Sequence, residues 1–526
     1  MSKEFALVVC VLFIVWLFAK DRRLRPMTSL ALWVPLLWLL IIASRPISFW
    51  FGEGILVESV DYYLEGSPLD RSVYFLFILT GFGILAGREL NWGRIFTSNR
   101  WLFVFFLYCG VSVIWSDYPF VGFKRWIKDV GNVIMVLILL SEKDPVRATR
   151  SMLARFTYLV VPFSVLFIKY YSELGKYYTK SWDTAYSGVA TEKNALGCLA
   201  LVSGLFLLWD LVEMRAGQKR KLDRGDLVTR GILLVMVFWL LDKAKSETSL
   251  VSLLFGSLII LMMQFPVAKR QVGYLGTYSL VIGSVIVLLF SVSSLSEVFV
   301  GTLGRDLTLT GRTVLWAQLL SEPINPLLGT GYQSFWLGLR AERYWEAWSF
   351  RPNQAHNGYL ETYLNGGLVG VFLLLAMVAS GGRRVKKGLL LEGGYWILCL
   401  EFLLVSLMVN WTEAMFSNMS PAWFILLIAC VSPVRSSGSM SERIAENDTG
   451  GRDGTLHRTE SPQDRRLRGD YWMARLVGGW GGEPTTTQIE RPSCLALAGS
   501  VLTSGLKSAP IEGQAQVPKN NGLADR

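Results

Sequence analysis

The sequence has little charge for its length. Charged residues make up 18% of 526, whereas a soluble domain usually carries about 25%. That shortage argues against a chain kept in solution by an ionic surface. Histidine is scarcer: only His356 and His457 occur. There is no Asp-x-Asp pair, no His-Glu-x-x-His, no P-loop and no Gly-x-Ser-x-Gly. These absences leave no recognisable nucleotide site, metal-ligand cluster or serine-hydrolase elbow. Cysteine gives no framework either. Cys10, Cys109, Cys198, Cys399 and Cys430 lie inside apolar blocks and Cys494 near the C-terminal end, so neither disulfides nor a Cys metal site is expected.

Long apolar runs are what the sequence does have. Apolar residues reach 52% and come in blocks rather than at an amphipathic period. Blocks of this kind suit a lipid solvent, where a crossing helix needs about 20 apolar residues. The expected spans are 5–19, 27–44, 72–87, 101–115, 130–141, 152–168, 194–213, 231–242, 249–265, 274–294, 360–380, 395–410 and 420–433. The block at 5–19 lacks a small-residue cleavage site and is expected to be a retained span rather than a signal peptide.

The net charge of +11 does not point to nucleic acid, because the cations sit in short runs between apolar blocks. KDRRLRP (20–26), RELNWGR (88–94), EKDPVRATR (142–150), MRAGQKRKLDR (214–224), AKR (268–270) and RRVKK (383–387) fall on every second loop. The positive-inside rule makes that side cytoplasmic. The result is 13 spans with the N-terminus outside, or 12 with it inside if 5–19 does not cross. Residues 1–294 then form the first ten transmembrane helices. Residues 295–359 form a large extracytoplasmic loop, expected to be a small helical cap. Residues 360–433 carry the last three spans, and 434–526, rich in Gly, Ser, Thr, Pro and Arg without periodicity, read as a disordered cytoplasmic tail.

Four polar constellations fall on the outer side. In FKRWIKD (123–129), Lys124, Arg125 and Lys128 lie where the rule disfavours cations. Residues 124 and 128 share a helical face, and the group either snorkels to headgroups or lines an anion site. In LGRDLTLTGRTVLW (303–316), Arg305 and Arg312 flank a Thr-rich turn. Guanidinium forks match the paired oxygens of a diphosphate, though solvated loop arginines read the same way. In AHNGYLE (355–361), His356 stands where the long loop re-enters the membrane. It is a candidate general base or a helix cap, with Glu361 one turn on as a second candidate base. In GVATEKNALG (188–197), Lys193 and Asn194 pair at the outer end of a span, as an interfacial lysine beside a cap would.

Taken together with WSDYPFVGFKRWIKDVGN (115–132), SETSL (246–250), PLLGTGYQSFW (326–336), NQAHNGYLETYLNGGLVG (353–370) and NWTEA (410–414), these segments resemble the bacterial O-antigen ligase and polymerase superfamily, and within it the exopolysaccharide polymerisation branch. Each motif alone is weak; their order, spacing and shared side make the set specific, and it covers the chain to about residue 433. The resemblance implies an all-α, polytopic glycosyltransferase fold of the C type, with 12–13 transmembrane helices and a helical extracytoplasmic loop over the site. It implies an inverting, metal-independent enzyme with no cofactor, set in the bacterial inner membrane with its site facing the periplasm. Its partners would be an undecaprenyl-diphosphate-linked glycan donor, a glycan or lipid acceptor, membrane lipids and other polysaccharide-export proteins, with no nucleic acid.

Residue by residue, Arg312 matches the arginine of the family's Gly-Arg…Trp motif, implicated in diphosphate binding. His356 matches the His-Asn-x-x-Leu position, Arg125 the basic residue after the Trp-Ser turn, and Lys193 with Asn194 the Lys-Asn turn, where Glu192 replaces a frequent His. Ligases often carry Ser-Arg-(Gly/Thr) where this chain has Ser246-Glu247-Thr248, so a second diphosphate cation is expected from Lys243, Lys245 or Arg305. The expected site is therefore His356, Arg312 and Glu361 for catalysis, with Arg125, Lys124, Arg305, Lys193 and Asn194 binding donor. Two other classes remain: a flippase for the same lipid-linked glycans, and a non-catalytic subunit of a polysaccharide synthesis complex.

Overall fold

A chain in lipid must satisfy its backbone polar groups internally, and a helix does so within one segment. The apolar blocks accordingly become helices. The computed structural model describes residues 2–24, 29–52, 66–179, 182–216, 224–274, 312–348, 351–391 and 393–433, all within the unit Met1–Gly450; a second unit, Gly451–Arg526, lies outside them. Residues 275–294 of one expected span, Arg305 and the 434–526 tail also lie outside the described residues.

The longer helices are α1 (Lys3–Leu24), α2 (Trp33–Ala43), α3 (Pro68–Ala86), α4 (Arg100–Val111), α5 (Pro119–Leu140), α6 (Pro145–Tyr170) and α7 (Lys193–Ala216). They continue as α8 (Arg224–Ala244), α9 (Glu247–Met262), α10 (Arg312–Leu320), α11 (Gly338–Ala347), α12 (Gly358–Leu391), α13 (Tyr395–Val409) and α14 (Pro421–Cys430). Several start on a capping side chain followed by proline, which loses no hydrogen bond in the first turn. Asp144 accepts from the Arg147 amide ahead of α6, and Ser420 from the Trp423 amide ahead of α14. The described residues bear out the all-α expectation, with one short antiparallel hairpin, β1 (Lys176–Tyr178) with β2 (Thr184–Tyr186), beside the helices.

Four described helices are long and apolar enough to span a membrane, and up to six if each of two sharply bent pairs counts as one span. This is fewer than the 12–13 spans expected from sequence blocks. Three further apolar helices, Leu30–Ala43, Tyr395–Val409 and Pro421–Cys430, are short for a crossing. Others, such as α1 and α5, carry charges near their ends. α1 nevertheless has 22 residues, or about 33 Å at 1.5 Å per residue. Its start meets Tyr171, whose hydroxyl donates to the Lys3 carbonyl, while Lys20 near its end pairs with Asp226.

Polar contacts sort into two ends. At one, Arg45 donates to the Ala190 carbonyl, Thr248 meets Thr412, and Arg340 pairs with Asp117. At the other, Lys20 pairs with Asp226, Arg155 with Asp21, Arg88 with Glu142, and Arg150 and Arg230 both with Asp210. The second set joins the basic loops that the charge pattern assigned to one side. Between the ends, α14 is buried at every position, and α5 is buried from Gly131 to Leu140. Helices farther out, such as α3 and α9, present Phe75, Leu79, Leu254 and Leu258 outward, as expected where lipid is the solvent.

The described part of the long loop forms a small helical layer with its own apolar core. Leu315, Leu319, Phe335, Trp336 and Tyr344 pack together with Leu364 of α12. Backbone fits backbone where this layer meets the bundle. α12 breaks at Gly367 (φ 61°, ψ −164°), and a Cβ there would overlap the Leu327 carbonyl. The Leu368 amide donates to the Pro326 carbonyl at 2.9 Å, and the Thr330 amide to the Leu364 carbonyl at 3.0 Å. Gly329, Gly331 and Gly367 are therefore packing requirements, because only glycine permits both the positive φ and the close approach.

Candidate active site

The site is assembled around a residue that the sequence reading did not single out. Glu413 lies in the turn after α13, its side chain 6% exposed. Its Oε1 accepts from Arg312 Nη2 at 3.3 Å and from Asn194 Nδ2 at 3.4 Å, and its Oε2 lies 3.3 Å from His356 Nδ1. Arg312 also donates to the Thr412 carbonyl. One carboxylate thus gathers the first residue of α10, the turn before α12 and the start of α7. Glu413 is part of the NWTEA segment, and an acidic residue at the outer edge of a span was the available signal for it.

Local structure explains how His356 is held. Asn357 caps α12, its Oδ1 accepting from the Tyr359 and Leu360 amides at 3.0 Å each, while its Nδ2 donates to the Trp411 carbonyl at 3.2 Å. The Gly358 amide donates to the Asn410 carbonyl at 2.8 Å. Asn410 Oδ1 in turn accepts from the Met415 and Phe416 amides. The HNGYLE and NWTEA segments are therefore locked together, with Glu413 facing the imidazole. His356 itself has φ 49°, as Gln333 has φ 48° and Ser417 φ 51°. Left-handed backbone at non-glycine residues costs on the order of 1–3 kcal/mol and collects at functional sites.

A cavity of about 350 Å³ adjoins this cluster, lined among others by Arg125, Glu192, Gln333, Trp336, Glu361 and Asn365. Arg125 Nη1 donates to the Gln333 carbonyl at 2.7 Å. Glu192 is open to solvent on the cavity side and crowded by protein on the others. That crowding, together with the nearby Glu413 charge, pushes its carboxyl above the usual range, while His356 and Lys193 pull the other way. Glu361 is held by three donors. It accepts from Trp336 Nε1 at 3.0 Å, from the Ala355 amide at 2.8 Å and from Asn365 Nδ2 at 2.9 Å.

The predicted lysines make contacts of their own. Lys124 Nζ lies over the Phe120 ring at 5.0 Å. Lys193 has an exposed side chain, and its amide donates to the Tyr177 hydroxyl at 3.3 Å. Lys243 and Lys245 both pair with Asp242, at 3.0 and 2.9 Å. The altered Ser246-Glu247-Thr248 segment reaches the site through Thr248 Oγ1, 2.9 Å from Thr412 Oγ1. Among the described residues, no three His, Cys, Asp or Glu side chains gather as metal ligands.

Residues 231–375 match the O-antigen ligase family model, a stretch that holds Arg312, His356 and Glu361 but ends before Glu413. The chain is also 28% identical over 308 residues to the exopolysaccharide production protein ExoQ of Rhizobium meliloti (strain 1021), covering 56% of this chain and 67% of that protein. The chain is thus a multi-pass membrane protein that resembles the O-antigen ligase family over residues 231–375 and is similar to a protein of exopolysaccharide production.

Proposed function

We propose that the protein is a membrane glycosyltransferase that polymerises or transfers undecaprenyl-diphosphate-linked glycans at the periplasmic face of the inner membrane, with inversion and without a metal. The observation that carries this reading is the single buried carboxylate, Glu413, holding a histidine and an arginine beside a cavity that contains a second arginine.

The reaction is a single displacement. The acceptor hydroxyl attacks the anomeric carbon from the face opposite the diphosphate, and the bond from that carbon to the diphosphate oxygen breaks. The leaving oxygen takes the electron pair, and the configuration inverts. Two charges need handling. The proton leaving the hydroxyl goes to His356 Nε2, the ring nitrogen left as acceptor when Nδ1–H donates to Glu413. The negative charge growing on diphosphate is met by the guanidinium groups of Arg312 and Arg125, held in place before the substrate arrives. Arg305 and Lys193 support the donor, and Asn194 keeps Glu413 oriented. Glu361 holds the Ala355 amide, next to His356, and the Trp336 ring; its full set of donors suits it to that work better than to taking a proton. The 295–359 segment acts as the lid.

Purified protein in liposomes, supplied with lipid-linked donor extracted from cells lacking it, tests the reading. Elongation or transfer is expected, and it should survive excess chelator. Lipid movement without product would indicate a flippase. Retained product formation by well-folded Arg312→Ala or His356→Ala protein would refute the site. Activity lost in chelator and restored by one divalent ion would refute metal independence.

A further inference from the structure

α5 carries Arg125, Asp129 and Asn132 at helical spacings that place them on one side. Arg125 reaches the cavity, but Asp129 does not; it is 2% exposed and lies deeper in the bundle. Its Oδ1 accepts from Trp423 Nε1 at 2.7 Å and from Asn132 Nδ2 at 3.0 Å, and its Oδ2 accepts from the Tyr332 hydroxyl at 2.8 Å. Asn132 is held in turn by Trp38 Nε1 at 2.8 Å. A well-packed apolar group usually fills a core position at lower cost than a buried acid, so a carboxylate this well bonded calls for another reason.

The Tyr332 hydroxyl leads to that reason. Tyr332 is buried, its amide held by Ser112 Oγ at 3.1 Å, and the next residue is Gln333. Gln333 is held at φ 48°, its side chain donating to the Ser417 carbonyl and its own carbonyl accepting Arg125 Nη1 at 2.7 Å. The chain of contacts therefore leaves α5 at Asp129, crosses to the loop at Tyr332, and returns to α5 at Arg125. Glycine at 331 (φ 90°) lets the loop pass against Ser112 and Ser116.

We propose that Asp129 is a positioning residue for donor binding: through Tyr332 it fixes the Gln333 carbonyl, which aims the Arg125 guanidinium into the cavity. The inference rests on the diphosphate role given to Arg125 above. Asp129 touches no substrate atom. Its contribution is to hold a left-handed Gln333 that would relax if Tyr332 were released, taking the carbonyl away from Arg125.

The test measures binding, so it needs no turnover. Full-length protein in nanodiscs is titrated with undecaprenyl diphosphate. Tyr332→Phe removes one oxygen and keeps the ring; Asp129→Asn keeps the volume. Each is expected to weaken binding about tenfold, the effect of one misplaced charge-assisted hydrogen bond. In an Arg125→Ala background, Tyr332→Phe should add no further loss, because coupled residues are non-additive. A general packing defect would instead weaken binding equally in both backgrounds, and that result overturns the inference, as does unchanged binding by Tyr332→Phe. If Asp129→Asn fails to fold, the tyrosine variant decides alone. Wild-type protein that does not bind undecaprenyl diphosphate overturns the diphosphate reading itself, which is distinguishable from binding that ignores Tyr332.

Discussion

Replacing Glu413 with glutamine tests the site at its centre. The carboxylate accepts on both oxygens, from Arg312 and Asn194 on Oε1, with His356 Nδ1 at Oε2. Glutamine has the same shape but only one acceptor oxygen. Turning its NH2 toward Arg312 and Asn194 would set donor against donor, so the amide oxygen must stay there and the NH2 must face His356. The imidazole can then meet it only by presenting Nδ1 as an acceptor. The ring proton moves to Nε2, the atom assigned to take the hydroxyl proton. One hydrogen bond to a charged group is worth about 1.5–3 kcal/mol, or roughly tenfold to a hundredfold in rate. A reversed tautomer costs about 10⁴ in a comparable acid–imidazole arrangement. The expected loss in kcat therefore lies between about 10 and 10⁴, with the donor KM raised less because Arg125 is untouched. The assay is initial polymer formation in proteoliposomes, with thermal unfolding in parallel to confirm the fold. A Glu413→Gln protein that keeps wild-type kcat refutes the arrangement proposed for His356.

Other perturbations reach different parts of the molecule. Asp210→Asn breaks the buried contact of Asp210 with Arg150 and Arg230 and should cost about 3–5 kcal/mol of stability, seen as a lower Tm in detergent, while the donor KM of the folded fraction stays unchanged. Gly131→Ala would drive a methyl into the buried Trp38 ring and is expected to destabilise by about 1–3 kcal/mol, measured the same way. The raised carboxyl of Glu192 favours the folded state below the ordinary carboxylate range, and that contribution is lost as pH rises through the raised value. Glu192→Gln should thus gain Tm over wild type as pH rises across that window and lose the gain on acidification; a gap independent of pH would contradict it. Glu401 is fully buried in α13, and its oxygens have no hydrogen-bond partner among the described residues. Glu401→Met should raise Tm, because an apolar group of similar length removes an unmet polar demand; a lower Tm would show that the carboxyl has a partner.

Much of this protein was legible before folding. Apolar blocks separated by basic runs determined a membrane-embedded, helical chain, because lipid permits few other backbones and the Lys/Arg bias of the loops separates the two sides. Capping is a local matter, and Asp144 before Pro145 and Ser420 before Pro421 start α6 and α14. Arg312, His356 and Asn194 were visible as chemistry-bearing residues because arginine, histidine and a Lys-Asn turn are conspicuous at the edge of apolar sequence. Their meeting was not visible. Glu413 is 101 residues from Arg312 and 57 from His356, and no periodicity reaches across such distances. Tertiary structure alone decided that one carboxylate would hold all three and that Glu361 would be occupied by Trp336. It also decided that Asp129, which reads in sequence as one more charge in a basic run, would be buried. Local forces set which residues can form helices and caps. Which side chains become partners depends on how the helices pack, and that is settled only when the whole apolar surface is buried at once.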